Sequence, residues 1–311
     1  MGQRTAAKAG NGPAFVPPME PVTGDRAFDD PAYLYEVKWD GVRCIAVVDG
    51  AVRLYARSGQ DRTDRFPELA GLARAVRGQR AVLDGECTVM SPEGPSFPRI
   101  LRRQSSPPDS GIVRAYPVTY FVFDLLYAGG RWLLDQPCQE RRNALRRLVD
   151  PAGPVQLSPS FASGPLLFEM MKGRGWEGIV AKRKDSPYLP GRKSPAWVKI
   201  KCWRRGVFAV VGMQPTRGGT SLLLAAADEA GRAWYVGRVQ MRTGRIDPSV
   251  LPQDAVSDGP PGPHFPRDPS IHWLVPLVLA EVRYLEWTPR GHLRFPSLVK
   301  LRAGTLQECR I

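Results

Sequence analysis

The sequence predicts an α+β fold in two domains, and three observations carry that prediction. A chain of 311 residues fits two domains of about 100–200 residues each. Up to about residue 202, strand-type apolar runs alternate with runs of helical spacing, and beyond it only strand-type runs remain. A boundary near Cys202–Gly206 separates the two patterns. The expected organisation is a flexible leader over residues 1–14, a mixed domain over residues 15–202 and an all-strand domain over residues 203–311.

In the mixed domain, Phe15–Pro21 (FVPPMEP) is too rich in proline for a helix or a central strand. Tyr35–Lys38 reads as a strand. Ile45–Ala56 holds two apolar runs around Asp49-Gly50, the signature of a β-hairpin. Leu69, Leu72, Ala73 and Val76 have helical spacing within Phe66–Arg77, and Ala81–Val89 is strand-like. Residues 91–116 read as a basic loop with one helical turn. Val118–Tyr127 (VTYFVFDLLY) is β-branched and aromatic, as a buried central strand should be. Gln139–Val149 predicts a basic amphipathic helix, Leu166–Lys172 another, and Gly178–Lys182 and Trp197–Lys201 short strands. In the second domain, Val207–Met213, Ser221–Ala227, Trp234–Val239, Leu277–Trp287 and His292–Lys300 read as strands, with an irregular, exposed insert at Asp247–Asp268. Five strands in so short a basic segment predict a small closed barrel of the OB type, with an SH3-like barrel as the structural alternative.

Composition narrows the function classes. No apolar stretch approaches the ~18–20 residues of a membrane span, and the basic N-terminus lacks the apolar core of a secretory signal. Cys44, Cys87, Cys138, Cys202 and Cys309 are odd in number, scattered and without a CxxC pair. That argues against a disulfide framework or a zinc site and for a reducing cytoplasm. Net charge is +14, with 44 basic and 30 acidic residues present in both halves of the chain. Such a distribution suits a protein that holds a polyanion with its whole body, although a GC-rich genome alone accounts equally well for the arginine bias.

Chemistry is concentrated in Lys38-Trp39-Asp40-Gly41, inside YEVKWDGVR. A lysine leaving a strand into a glycine-containing turn is placed to act as a covalent nucleophile. Alone, K-x-D-G also describes a surface lysine beside a turn. Four further segments follow in order: Asp84-Gly85-Glu86, Phe121-Val122-Phe123-Asp124, Trp176-Glu177-Gly178-Ile179-Val180-Ala181-Lys182 and Trp197-Val198-Lys199-Ile200-Lys201. This ordered series resembles the nucleotidyltransferase motifs of ATP-dependent DNA ligases, and the local wording resembles the minimal stand-alone or end-joining enzymes of bacteria. The resemblance runs over roughly residues 15–302.

The resemblance implies a nucleotidyltransferase (adenylation) domain of antiparallel sheets with flanking helices, followed by an OB-fold β-barrel. It implies that Lys38 attacks the α-phosphate of ATP, forming lysyl-AMP, and that AMP then passes to the 5′-phosphate of nicked double-stranded DNA. Glu36 shares the face of Lys38 on the strand, and the family assigns its position to adenine recognition. Arg43 and Arg57 match positions that hold the ribose and phosphate or the 5′-phosphate of the nick. Phe123 matches the residue that stacks on adenine, although Phe121 has the same parity. Glu86 and Glu177 are hard oxygen ligands suited to Mg²⁺ (or Mn²⁺) and to the ribose hydroxyls. Lys199 and Lys201 point to one face and suit a phosphate. Six residues before Lys199 the family usually carries Arg; here Lys193 stands beside Arg192, and a lysine lacks the arginine fork. Arg294 and Arg302 (RFPSLVKLR) match the last motif, which orients the β,γ-phosphates. There the chain departs: Ala303-Gly304-Thr305 replaces the usual acidic pair and lysine.

The barrel's Trp203, Arg204, Arg205, Arg217, Trp234 and Arg238 suit a nucleic-acid groove or, for the tryptophans, the barrel core. A monomer associated with the nucleoid is expected, with Ku or a primase-polymerase as open possibilities for a partner. An RNA ligase, a GTP-using capping-type enzyme and a catalytically weak OB nucleic-acid-binding protein are the alternatives.

Overall fold

A computed structural model describes residues 12–241, 256–288 and 290–310. The chain divides into two compact units, Met1–Cys202 and Trp203–Ile311.

The first unit is built on two sheets. One runs in the order Glu20–Gly24, Lys193–Lys201, Gly178–Arg183, Tyr33–Val37, Ser160–Phe161. Its outer pair, Glu20–Gly24 with Lys193–Lys201, is parallel and the rest is antiparallel. Pro21 is tolerated because its strand lies at the edge, where a missing N–H costs no ladder bond. The second sheet runs Ala51–Ala56, Val42–Asp49, Ala81–Ser91, Val118–Ala128, Arg131–Trp132. The Asp49-Gly50 turn closes its hairpin, with Gly50 in the left-handed region at φ 72°.

Side-chain alternation assigns each face of this second sheet. Cys44, Ala46, Val48 and Leu83 point to one core, joined there by Leu69, Leu72, Ile100 and Leu145. Ile45, Val47, Val82 and Phe123 point to another, where they meet Tyr188 and Trp197 of the first sheet's connections and strands. Lys38–Gly41 is the crossing from the Tyr33–Val37 strand of one sheet to the Val42–Asp49 strand of the other. Gly41 is required there: a Cβ would lie 2.2 Å from the Cys87 carbonyl oxygen.

Two local readings are corrected. Phe66–Arg77 is one 3₁₀ turn, Pro67–Gly71, running into a four-residue helix, Leu72–Ala75, because Pro67 starts the segment and Leu69 and Leu72 are each buried within their own short turn. Residues 91–116 hold two helices, Phe97–Ser105 and Ser110–Ala115. The first buries Ile100 and Arg103, three apart, and the second is capped by Asp109, whose side chain accepts from the Ile112 N–H. Helix Cys138–Leu148 is the expected amphipathic helix, with Arg146 and Arg147 exposed, and it also turns Arg141 and Arg142 inward.

The second unit is a six-stranded sheet in the order Ala233–Met241, Gly219–Ala227, Arg204–Thr216, Val278–Tyr284, Ser297–Ala303, with His272–Trp273 paired to Arg204–Thr216. Both faces are buried. Phe208, Val210, Leu222, Leu224, Ala280 and Val282 fill one side, and Ala209, Val211, Leu223, Ala225 and Leu279 the other. The last strand begins at Ser297 rather than His292, because Phe295 takes a left-handed φ of 50° and breaks the extended run. Of the insert at 247–268, residues 247–255 lie outside the described residues. Its later part is not wholly exposed, since Phe265 packs into the second face at 4% exposure. Of the proposed leader, residues 1–11 lie outside the described residues as well. Cys44, Cys87, Cys138, Cys202 and Cys309 are free thiols, all but Cys202 buried. No helix among the described residues is long and apolar enough to cross a membrane.

Candidate active site

A cleft in the first unit is lined by Pro21, Glu36, Val37, Lys38, Trp39, Arg43, Glu86, Phe123, Val180, Lys182 and Trp197, and encloses about 470 Å³ of open space. Strands of both sheets supply its walls. Strand parity puts Glu36 and Lys38 on one side of their chain segment, and the register sets Arg43 directly opposite Glu86.

Lys38 is fixed at both ends. Its backbone N–H donates to the Gly178 carbonyl at 2.9 Å, and its Nζ lies 2.5 Å from Glu177 Oε2. Gly178 sits at φ 140°, and a Cβ there would lie 2.1 Å from the Ile200 carbonyl oxygen, so the glycine permits this close approach. Lys201 Nζ meets the other oxygen of Glu177 at 3.0 Å. Burial alone would raise the Glu177 carboxyl, but Lys38 and Lys201 outweigh it and hold it below the usual carboxylate range. Lys199, two residues before Lys201, is lowered by burial and by the charges of Lys38, Lys201 and Lys193.

Glu86 is different. Burial pushes its carboxyl up to about 8, with Glu177 and Asp84 adding to the rise and Arg43 and Lys38 opposing it. Arg43 is held by a buried chain: its Nε and Nη2 donate to the two oxygens of Asp84 at 2.5 and 2.6 Å, and Tyr188 Oη donates to Asp84 Oδ2 at 2.7 Å. Arg43 Nη2 also donates to the Met19 carbonyl at 3.2 Å, and the Met19 N–H donates to Tyr188 Oη at 3.0 Å. Burial would lower the Arg43 guanidinium, but Asp84 reverses that and raises it.

The base-sized end of the cleft is aromatic and cationic. Lys182 Nζ stands 4.0 Å from the Phe123 ring centre and 4.3 Å from that of Trp197, and Arg43 Cζ lies 4.6 Å from Phe123. Phe121 is engaged elsewhere, stacked on Trp39 with ring centres 3.5 Å apart and planes 6° from parallel. The parity ambiguity between the two phenylalanines is thereby removed: Phe123 faces the cleft. Glu36 is buried at 2% exposure, with Arg142 donating to one oxygen and Lys182 Nζ 3.0 Å from the other.

Glu36, Lys38, Arg43, Glu86 and Phe123 thus share one cleft, with Glu177 and Lys201 bonded at its edge. Arg57 is exposed and pairs with Glu20, next to the cleft residue Pro21. Lys193 and Arg192 are both exposed at the start of the strand that carries Lys199 and Lys201. Arg294 and Arg302 lie in the second unit. Arg294 meets Glu286 at 2.7 Å, Arg302 meets Glu308 at 2.9 Å and Lys300 meets Glu281 at 3.0 Å. Where the last motif departs, Thr305 and Glu308 cap a 3₁₀ turn, Leu306–Glu308, through reciprocal side-chain bonds. On the barrel, Trp234 is 38% exposed and its ring lies 4.8 Å from that of His264.

Sequence reasoning assigned no role to Trp197, Lys182, Tyr188 or Arg142. Trp197 shares the parity of Lys199 and Lys201, and Lys182 that of Val180, so strand period alone could have found those two. Tyr188 and Arg142 reach the site from a loop and a helix, and no local pattern marks them.

Among the described residues, no group of three or more His, Cys, Asp or Glu side chains forms a cation site. Glu86 and Glu177 nevertheless suit a hard divalent ion: both are oxygen donors, and burial drives Glu86 toward its neutral form even with Arg43 and Lys38 nearby.

Comparison with known proteins agrees with this geometry. Residues 23–201 match the ATP dependent DNA ligase domain, and residues 216–304 the ATP dependent DNA ligase C terminal region. The chain is 35% identical over 282 residues to the multifunctional non-homologous end joining DNA repair protein LigD of Mycobacterium tuberculosis, covering 87% of this chain and 36% of that protein. It is 33% identical over 284 residues to LigD of Pseudomonas aeruginosa, covering 84% of this chain and 32% of the relative. It therefore spans about a third of the length of these relatives. A solved structure of mycobacterial DNA ligase D complexed with ATP and MES matches with a TM-score of 0.57 and 33% identity, over 94% of this chain and 97% of that one. The fold class expected from the sequence is the one found, a nucleotidyltransferase domain of antiparallel sheets followed by an OB barrel. The chain belongs to the ATP-dependent DNA ligase family.

Proposed function

We propose that this chain seals 5′-phosphate/3′-hydroxyl nicks in double-stranded DNA, with residues 15–202 as the adenylation domain and residues 203–311 as the OB domain. Lys38 is the nucleophile. The observation that carries this is the placement of its Nζ 2.5 Å from Glu177 Oε2, at the lip of an aromatic-walled cleft. In the first step Lys38 Nζ attacks the α-phosphorus of ATP, a P–N bond forms, the bond to pyrophosphate breaks, and Glu177 Oε2 is placed to take the lysine proton. AMP then passes to the DNA 5′-phosphate, and attack by the 3′-hydroxyl releases it.

Phosphoryl transfer of this kind depends on positioning and charge neutralisation. Phe123 and Trp197 supply stacking surface for adenine, and Glu36 an acceptor for its exocyclic amine. Arg43, held rigidly by Asp84, is aimed at the ribose and phosphate. Lys199 and Lys201 face the same phosphates. Glu86 and Glu177 would hold a Mg²⁺ or Mn²⁺ ion, whose chemistry is to withdraw charge from the phosphate oxygens. Lys193, Arg57, Arg294 and Arg302 complete the assignment as outer phosphate contacts. The free thiols fit a reducing compartment such as the cytoplasm, and we read the chain as a nucleoid-associated monomer. The likeness to LigD supports a role in end-joining repair, with Ku or a primase-polymerase as the partner class.

The test is incubation with α-³²P-ATP and Mg²⁺, in parallel with labelled GTP and NAD⁺, with Lys38→Ala as control and nicked DNA as the second substrate. Acid-stable label from ATP, absent in the variant and chased onto nicked DNA, is the expected result. Label from GTP alone, or from none of the three, overturns the reading.

A further inference from the structure

We propose that Arg142, on helix Cys138–Leu148, is the positioning residue that sets nucleotide choice by anchoring the Glu36 carboxylate against the Phe123 backbone. The inference rests on the adenine-site reading above and adds to it a residue outside the cleft wall.

Arg142 is 2% exposed and lines no part of the cleft itself. One guanidinium reaches two residues that line it, Glu36 and Phe123, and a third, Ser158, behind them. Arg142 Nη1 donates to Glu36 Oε1 and, at 3.2 Å, to the Phe123 carbonyl, and Nη2 donates to the Ser158 carbonyl at 3.0 Å. Ser158 Oγ in turn accepts from Trp39 Nε1 at 3.0 Å, and Trp39 is the neighbour of the nucleophile. The polar wall, the stacking ring and the nucleophile turn are therefore tied through one planar fork that a lysine cannot reproduce.

The consequence for recognition follows from counting lone pairs. A carboxylate offers about four acceptor positions. Arg142 takes one on Oε1 from behind the wall, and Lys182 takes one on Oε2 from within the cleft. The positions left over accept an amine, such as the exocyclic group of adenine, and repel a carbonyl oxygen, such as that of guanine. Without Arg142, Glu36 is free to rotate onto Lys182, and the acceptor that separates the two bases is lost. Lys182 then remains as a donor, the group a guanine carbonyl prefers.

The experiment measures lysine labelling with α-³²P-ATP and α-³²P-GTP for the full chain, Arg142→Lys, Glu36→Gln and the double variant, with thermal unfolding of each as a fold control. Arg142→Lys keeps charge and bulk, so the chain remains folded. The half-saturating ATP concentration is expected to rise about ten- to a hundred-fold, the range of a charge-assisted hydrogen bond, while the rate at saturation changes less than about threefold. The preference for ATP over GTP falls with it. Because Arg142 acts through Glu36, the double variant is expected to be no worse than Glu36→Gln alone. An unchanged half-saturation in Arg142→Lys, an unchanged ATP/GTP ratio, or losses that multiply in the double variant overturn the inference alone. A wild-type chain that takes no label from ATP overturns the nucleotide reading with it.

Discussion

Replacing Glu86 by Gln should make this protein more stable and less active, and the two effects have one cause. Glu86 lies across the sheet from Arg43, close to Asp84 and Glu177, and burial holds its carboxyl up at about 8 instead of 4.5. In the metal-free protein the folded state thus holds a proton that the unfolded chain has already released. Between pH 4.5 and 8 the folded state binds more protons than the unfolded one, so stability falls as pH rises through that window. Taken at face value, the displacement is worth up to about 5 kcal/mol. Glu86 edges an open cleft and is screened by solvent, which brings the expected value to about 1–2 kcal/mol. Gln carries no charge and escapes the penalty. Thermal unfolding in EDTA, run for both proteins from pH 4.5 to 9, should show equal midpoints at the acid end. The variant should gain as pH rises above 4.5, by about 3–6 °C in all, and gain no more once the carboxyl is ionised in both states. A difference that is flat with pH, or largest at acid pH, refutes the reasoning. Labelling from ATP should fall in the same variant at every pH, since the carboxylate that is costly to the empty site is the one assigned to the metal.

Two further outcomes follow from the geometry. Asp84→Asn strips the counter-charge from Arg43 and leaves Tyr188 Oη facing an amide, so a loss of about 3–5 kcal/mol is expected in urea unfolding; a loss within 1 kcal/mol would show that Arg43 relaxes into solvent. Phe123→Leu keeps the apolar volume and removes the stacking face, so half-saturation for ATP should rise about five- to tenfold with little change in stability. An unchanged ATP titration would assign Phe123 to packing alone.

The parts of the fold and site that the sequence made legible are those governed by local rules. The hairpin at Asp49-Gly50 was readable because a left-handed glycine is a local demand. The strand faces were readable because period two fixes them, and the same rule put Lys199 beside Lys201 and Glu36 beside Lys38. What stayed hidden was long-range. Arg141 and Arg142 look like the solvated face of a basic helix, yet Arg141 is fully buried against Asp124 at 2.8 Å and Arg142 against Glu36. Charge on a helix reads as exposed unless its partner is known, and both partners lie on strands, Glu36 more than a hundred residues upstream. Phe121 and Phe123 share a face, so only the position of Trp39 decided which of them meets the cleft. In the second unit, Phe295 breaks the strand through a backbone conformation that no composition signal announces.

The charges around the cleft share one logic. Each carboxylate there except Glu86 is answered by a cation at hydrogen-bond distance: Glu36 by Arg142 and Lys182, Asp84 by Arg43, Glu177 by Lys38 and Lys201. Pairing of this kind adds little net stability to a protein, because burying both ions costs about as much as their attraction returns. It does fix where each ion stands, which is what phosphoryl transfer requires. The exceptions then mark where charge is awaited. Burial holds Glu86 toward its neutral form despite Arg43 and Lys38, and burial with three other lysines holds Lys199 below its ordinary value despite Glu177. A divalent cation beside the first and a polyphosphate beside the second would relieve both deficits at once. On this argument metal and nucleotide bind with positive coupling, each tightening the other, because each lowers the electrostatic cost that the other would meet alone.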